Sequence, residues 1–99
     1  MKRATDFQFT ITLDEGTGNL SKMRMAFSQQ GEILLLKTEN QLTVSDNTIV
    51  CDLTQEETKL FEANVDCAIQ LRAKNSEGKV FATDEFYESV EDVLDDEVM

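Results

Sequence analysis

Two cysteines, a run of carboxylates and one glycine-rich turn are the residues whose types and spacing could support chemistry in this chain. Cys51 and Cys67 stand at matching in-facing positions of two stretches in which apolar and polar residues alternate. That placement suits a disulfide across a core, as in antibody-type domains, or two buried thiols acting as small hydrophobes. No apolar segment of signal-peptide length follows Met1–Asp6. A reducing compartment is therefore expected, and with it two buried free thiols and no disulfide. The chain has no histidine and no Cys-x-x-Cys spacing, so no zinc site is expected. A Ser, Thr or Cys nucleophile would have to borrow a Lys or a carboxylate as its base.

The carboxylates gather late. After Lys79 there is no basic residue, while Asp84, Glu85, Glu88, Glu91, Asp92, Asp95, Asp96 and Glu97 all follow. An acid/base pair or a Ca²⁺ site would draw on such groups, but the run lacks EF-hand spacing and contains no Gly. It reads as a solvated charge run, with Glu91, Asp92, Asp95, Asp96 and Glu97 as a candidate interaction surface. Gly16-Thr17-Gly18 follows Asp14-Glu15 and leads into a strand rather than a helix N-terminus, so it reads as a turn and not as a phosphate cradle. Met23 and Met25 alternate with Lys22 and Arg24, which reads as core filling under a basic outer face. No catalytic residue, metal ligand or cofactor is expected, and the chain is read as a non-enzyme.

Composition bounds the rest. Ninety-nine residues, 40% hydrophobic and 29% charged, make one small soluble domain spanning 1–99 with an acidic segment at about 91–99. The formal charge of −11 argues against nucleic-acid phosphates and against anionic membrane as partners. The longest apolar run, Ile33-Leu34-Leu35-Leu36, falls far short of the ~20 residues that cross a bilayer. A cytoplasmic or virion location is expected.

Seven strands are predicted, at 6–13, 21–29, 32–38, 42–45, 48–53, 64–74 and 79–90. Period-two alternation runs through Phe7, Phe9, Ile11 and Leu13, through Met23, Met25 and Phe27, and through Val65, Cys67, Ile69, Leu71 and Ala73. Asp46-Asn47 as a tight turn pairs Val44 with Ile49 and Leu42 with Cys51, all on one face. Gln30-Gly31 as a two-residue loop sets Phe27 opposite Leu34 and Met25 opposite Leu36. Ile33 and Leu35 then fall on the other face, so that strand is covered on both sides or the loop is longer. Thr54-Gln55-Glu56-Glu57 is a capping-box pattern that predicts one or two helical turns near 55–61, carrying Leu60 and Phe61 onto the core. In the last strand plain alternation would bury Asp84 and Glu88. A bulge near Asp84 or a helix from about Phe86 repairs this; a strand to about Val90, with a short and partly helical acidic end, is the expected form. Turn signals every ~8–12 residues, with no strand-helix-strand repeat, predict an all-β, immunoglobulin-like β-sandwich.

Leu53-Thr54-Gln55-Glu56-Glu57-Thr58, Phe61, the Val65–Lys74 strand ending Ile69-Gln70-Leu71-Arg72-Ala73-Lys74, Gly78, Ala82-Thr83-Asp84, Val90 and Asp92-Val93-Leu94 form a pattern. It resembles small tail or baseplate-associated proteins of phages and prophages of Gram-positive, especially gut, bacteria. The resemblance covers about 42–99; residues 6–37 agree in strand order and spacing. It implies an immunoglobulin-like fold akin to the N-terminal domain of baseplate upper proteins. It also implies a structural role in a particle, with other phage structural proteins or copies of the chain itself as partners. The rival expectation, from charge alone, is a small acidic regulator that mimics DNA and occupies a basic groove of a host protein.

Overall fold

A computed structural model of the chain describes residues 1–14 and 16–99. Eight strands form: β1 (Phe7–Thr12), β2 (Leu20–Gln29), β3 (Glu32–Thr38), β4 (Leu42–Ser45), β5 (Thr48–Leu53), β6 (Cys67–Asn75), β7 (Val80–Ala82) and β8 (Phe86–Glu88). A 3-10 turn spans Glu39–Gln41, and one helical turn, α1, spans Gln55–Thr58. The strands make two antiparallel sheets, β1-β5-β4 and β3-β2-β6-β7, with β8 also paired to β6. The chain is an all-β sandwich. Antibody-type sandwiches place their second strand beside the fifth, whereas here β2 lies between β3 and β6. The inner residues of β2 explain that choice: Met23, Met25 and Phe27 stand opposite Ala73, Leu71 and Ile69 in one unbroken apolar row.

The β4–β5 hairpin follows from its turn. Asp46 takes a φ of +49°, Val44 pairs with Ile49 and Leu42 with Cys51. The β2–β3 hairpin keeps the two-residue loop, with Gln30 and Gly31 both at positive φ, but corrects the expected register. A bulge between Phe27 and Ser28 sets Phe27 opposite Leu35 and Met25 opposite Lys37. Neither a longer loop nor a doubly covered strand is needed, because the extra residue is absorbed inside the strand. The consequence is a lysine on the inner face.

The predicted strands at 64–74 and 79–90 are also corrected. Asn64 adopts a φ of +65°, a turn conformation, and pairing begins only at Cys67. The last strand splits in two. Between the pairs Arg72↔Ala82 and Ile69↔Phe86, Thr83, Asp84 and Glu85 face only Gln70 and Leu71. That is a bulge at Asp84, and it turns the Asp84 carboxylate to solvent. Thr83 holds the bulge by donating its N–H to Leu71 O at 2.9 Å and accepting the Leu71 N–H on Oγ1 at 3.2 Å. No helix forms from Phe86 onward.

The core is one cluster in which Phe27, Phe61, Met25, Ile49, Ile69, Leu71, Cys51 and Cys67 are the large fully buried side chains. α1 starts at Thr54 with both arms of its capping box formed: the Glu57 N–H donates to Thr54 Oγ1 at 3.3 Å and the Thr54 N–H to Glu57 Oε1 at 2.9 Å. A single turn can aim only one of two adjacent residues inward. Phe61 is 1% exposed and packs on Phe27 with ring centroids 6.1 Å apart, while Leu60, expected in the core, is 55% exposed. Every buried side-chain nitrogen and oxygen among the described residues has a hydrogen-bond partner.

Candidate functional site

Two of the acidic residues singled out above, Asp92 and Asp96, share one cation. Past β8 the chain runs along the N-terminal segment: the Arg3 N–H donates to Glu91 O and the Glu91 N–H to Met1 O, each at 2.9 Å. Val90 is buried, with its carbonyl accepting the Asn64 N–H at 2.8 Å. Arg3 then reaches the carboxylates, with Nη1 2.9 Å from Asp92 and 3.5 Å from Asp96. Its Nε donates to Phe61 O at 2.7 Å. The Val93 N–H and then the Arg3 guanidinium hold the Asp92 carboxyl below its ordinary value. Asp92 and Asp96 are thus gathered on one guanidinium, and Glu91, Asp92, Asp95 and Glu97 all stay exposed. Arg3 was invisible as a partner in the sequence because its contacts are ~90 positions away.

Glu88 is half-buried rather than stranded in the core, and its Oε1 lies 3.1 Å from the Met1 ammonium. Gly16 takes a φ of +79°, and the Thr17 N–H and hydroxyl both donate to Asp46 O, at 2.9 and 2.6 Å. The segment therefore ties two loops together. Beside it lies an open hollow of about 350 Å³ lined by Leu13, Asp14, Gly16, Asn19, Leu20, Asn75 and Phe81. Among the described residues that line it, no nucleophile stands beside a base.

Cys51 and Cys67 are free and fully buried. Burial pushes both thiols up to about 11, so almost no thiolate exists near neutrality and reactivity is suppressed. Native protein at pH 8 is expected to leave both thiols unreacted toward a disulfide reagent over minutes, and to release two on denaturation. Titration of fewer than two after denaturation would show a disulfide and point to a secreted adhesion-type domain instead. Among the described residues, no group of three His, Cys, Asp or Glu side chains is placed to hold a metal ion, and no helix is long and apolar enough to cross a membrane.

The feature with most electrostatic content is the outer face of the larger sheet. Lys22 pairs with Lys74 and Arg24 with Arg72 across β2 and β6, so four cations share one side of two neighbouring strands. Like charges directly opposite one another disfavour the pairing. All four side chains are exposed, and none makes an ion pair among the described residues. Two of them act on Glu39, whose carboxyl is lowered first by hydrogen bonds from its own and the Met23 N–H and then by Lys22 and Arg24. A shallow depression of about 140 Å³ lies among Lys22, Arg24, Arg72, Lys74 and Val80. The alternation of β2 predicted a basic outer face; that β6 adds a second basic row opposite it depends on sheet order. Compared with protein-family models, curated proteins and solved structures, the chain gives no match to any of the three.

Proposed function

We propose that this chain is a non-enzymatic structural or interaction module of a phage or prophage particle, from the tail or baseplate region, acting through protein–protein contacts. The observation that carries the reading is the outer face of the larger sheet. Four exposed cations, without an ion pair among the described residues, sit there beside exposed Val80, and the same face carries exposed Ile33 and Tyr87 toward the β2–β3 turn and β8. An uncovered sheet face with apolar and charged parts is what a neighbouring subunit covers. The pattern in residues 42–99 supports placing that neighbour in a particle. The DNA-mimic reading gains less support: a mimic needs free carboxylates along one face, and Arg3 ties down Asp92 and Asp96.

The expected result is that the chain co-purifies with particles or with prophage tail proteins after induction. Recovery only as free protein throughout particle assembly would overturn the reading.

A further inference from the structure

We infer that copies of this chain associate head to tail, the cationic face of β2 and β6 in one copy receiving the acidic pole of the next. The inference deepens the interaction-module reading and rests on it. The cations stand at one end of β6, at Arg72 and Lys74. β8 runs along the other half of the same strand, from Phe86 opposite Ile69 to Glu88 opposite Cys67, and delivers the acidic segment beyond the Cys67 end. Seven residue steps separate Cys67 from Lys74, roughly 24 Å at the rise of an antiparallel strand. The molecule is therefore charged oppositely at two places that cannot meet within one copy. Arg3 and the backbone bonds between Met1, Arg3 and Glu91 hold the acidic segment down on its own body, which removes the alternative of the tail folding back onto its own cations.

The acidic pole is wider than the tail. The β2–β3 turn lies at the same end, because Gln29 donates to Glu62 O and Val65 O at 2.8 and 2.9 Å, and Asn64 is bonded to Val90. Exposed Glu32, Glu62, Asp66, Glu91, Asp95 and Glu97 thus share that end. The cationic face contains four of the chain's nine basic residues, so the fold concentrates positive charge in a chain of net charge −11. A second copy supplies the matching pole. Because the two patches differ, the contact is heterologous, and a bound pair still offers one free patch of each kind. Growth to a ring or a filament follows rather than a closed dimer.

Sedimentation of the purified full chain against salt tests this. The wild type is expected to show a weight-average mass above the 11.2 kDa monomer at millimolar protein in about 0.05 M salt. It should return to the monomer in about 1 M salt, where the screening length is only about 3 Å. Reversing the face (Lys22→Glu, Arg24→Glu, Arg72→Glu and Lys74→Glu) or the pole (Glu32→Lys, Glu62→Lys, Asp66→Lys, Glu91→Lys, Asp95→Lys and Glu97→Lys) should each weaken association by on the order of tenfold or more. All these positions are exposed, and circular dichroism checks that each variant folds. Mixing the two reversed variants should restore the larger species, because each then carries the patch the other lacks.

A wild type monomeric in low salt, or reversed variants that associate as well as wild type, overturns the inference. So does a monomer whose melting temperature rises only with added polyphosphate, which would assign the face to a free polyanion. A monomer that still co-purifies with particles overturns head-to-tail association while leaving the particle reading in place.

Discussion

Phe61→Ala is expected to lower stability by about 3–5 kcal/mol, the range for truncating a fully buried aromatic, while Leu60→Ala, one residue earlier, changes it by less than about 0.5 kcal/mol. The two differ only in where a single helical turn aims them. Phe61 is enclosed and stacked obliquely on Phe27, whereas Leu60 lies in solvent. Removing the ring leaves a cavity where α1 meets the larger sheet, lined by side chains that their strands hold in place. A domain of this size has roughly 5–15 kcal/mol in total, so the Phe61 variant should lose at least roughly 12 °C of melting temperature. Urea unfolding of both variants checks the contrast. Equal losses at the two positions would mean that α1 does not seal the core.

The second large effect belongs to the one lysine on the inner face. Lys37 is 7% exposed, and its Nζ lies 2.6 Å from Glu57 Oε2, while Glu57 Oε1 serves the capping box. Glu57→Ala leaves the Lys37 ammonium buried without its partner and deletes half of the cap. The expected cost is about 2–4 kcal/mol, below that of a fully buried pair, because Glu57 keeps 22% of its side chain exposed. Lys37→Met should cost less than Glu57→Ala, because the carboxylate it leaves behind is 22% exposed and still accepts the Thr54 N–H, while a flexible apolar chain of similar length fills the lysine's site. The double variant should recover much of the loss seen in Glu57→Ala.

The pair also sets an acid limit. Burial alone raises the Glu57 carboxyl, but the Lys37 ammonium and the Thr54 N–H outweigh it and leave the group below its ordinary value. A carboxyl lowered in the folded state contributes stability that is fully present above its unfolded value, about 4.3, and lost as pH falls through the folded one. Stability measured from pH 7 to about 3 should fall more steeply in wild type than in Lys37→Met. Parallel curves for the two proteins would show that the pair is not coupled to folding.

The free carboxylates and the cationic face give this molecule two surfaces of opposite sign on an otherwise acidic body. The exposed cations oppose one another across β2 and β6, which works against the strand pairing itself. A neighbour bearing carboxylates offsets that repulsion. The same physics makes any association salt-sensitive.

Much of this architecture is written locally. The Thr54–Glu57 cap, the Asp46-Asn47 turn and the alternation of β1, β2, β5 and β6 each need only neighbouring residues. Propensity, turn geometry and apolar period agreed there, so the all-β sandwich was legible from the residues alone. The carboxylate run and the basic outer row of β2 were legible for the same reason. What the sequence could not decide depends on partners far along the chain. The bulge that leaves Leu34 unpaired is chosen by how β3 fits β2, and it turns Lys37 inward to Glu57. The bulge at Asp84 arises because β7 and β8 must share β6. Only folding brings Arg3 to Asp92 and Asp96, and only sheet order sets Arg72 and Lys74 beside Arg24 and Lys22. Side-chain period is a local property of the backbone, but register and charge neighbourhood belong to pairs of strands, and those pairs exist only in the tertiary structure.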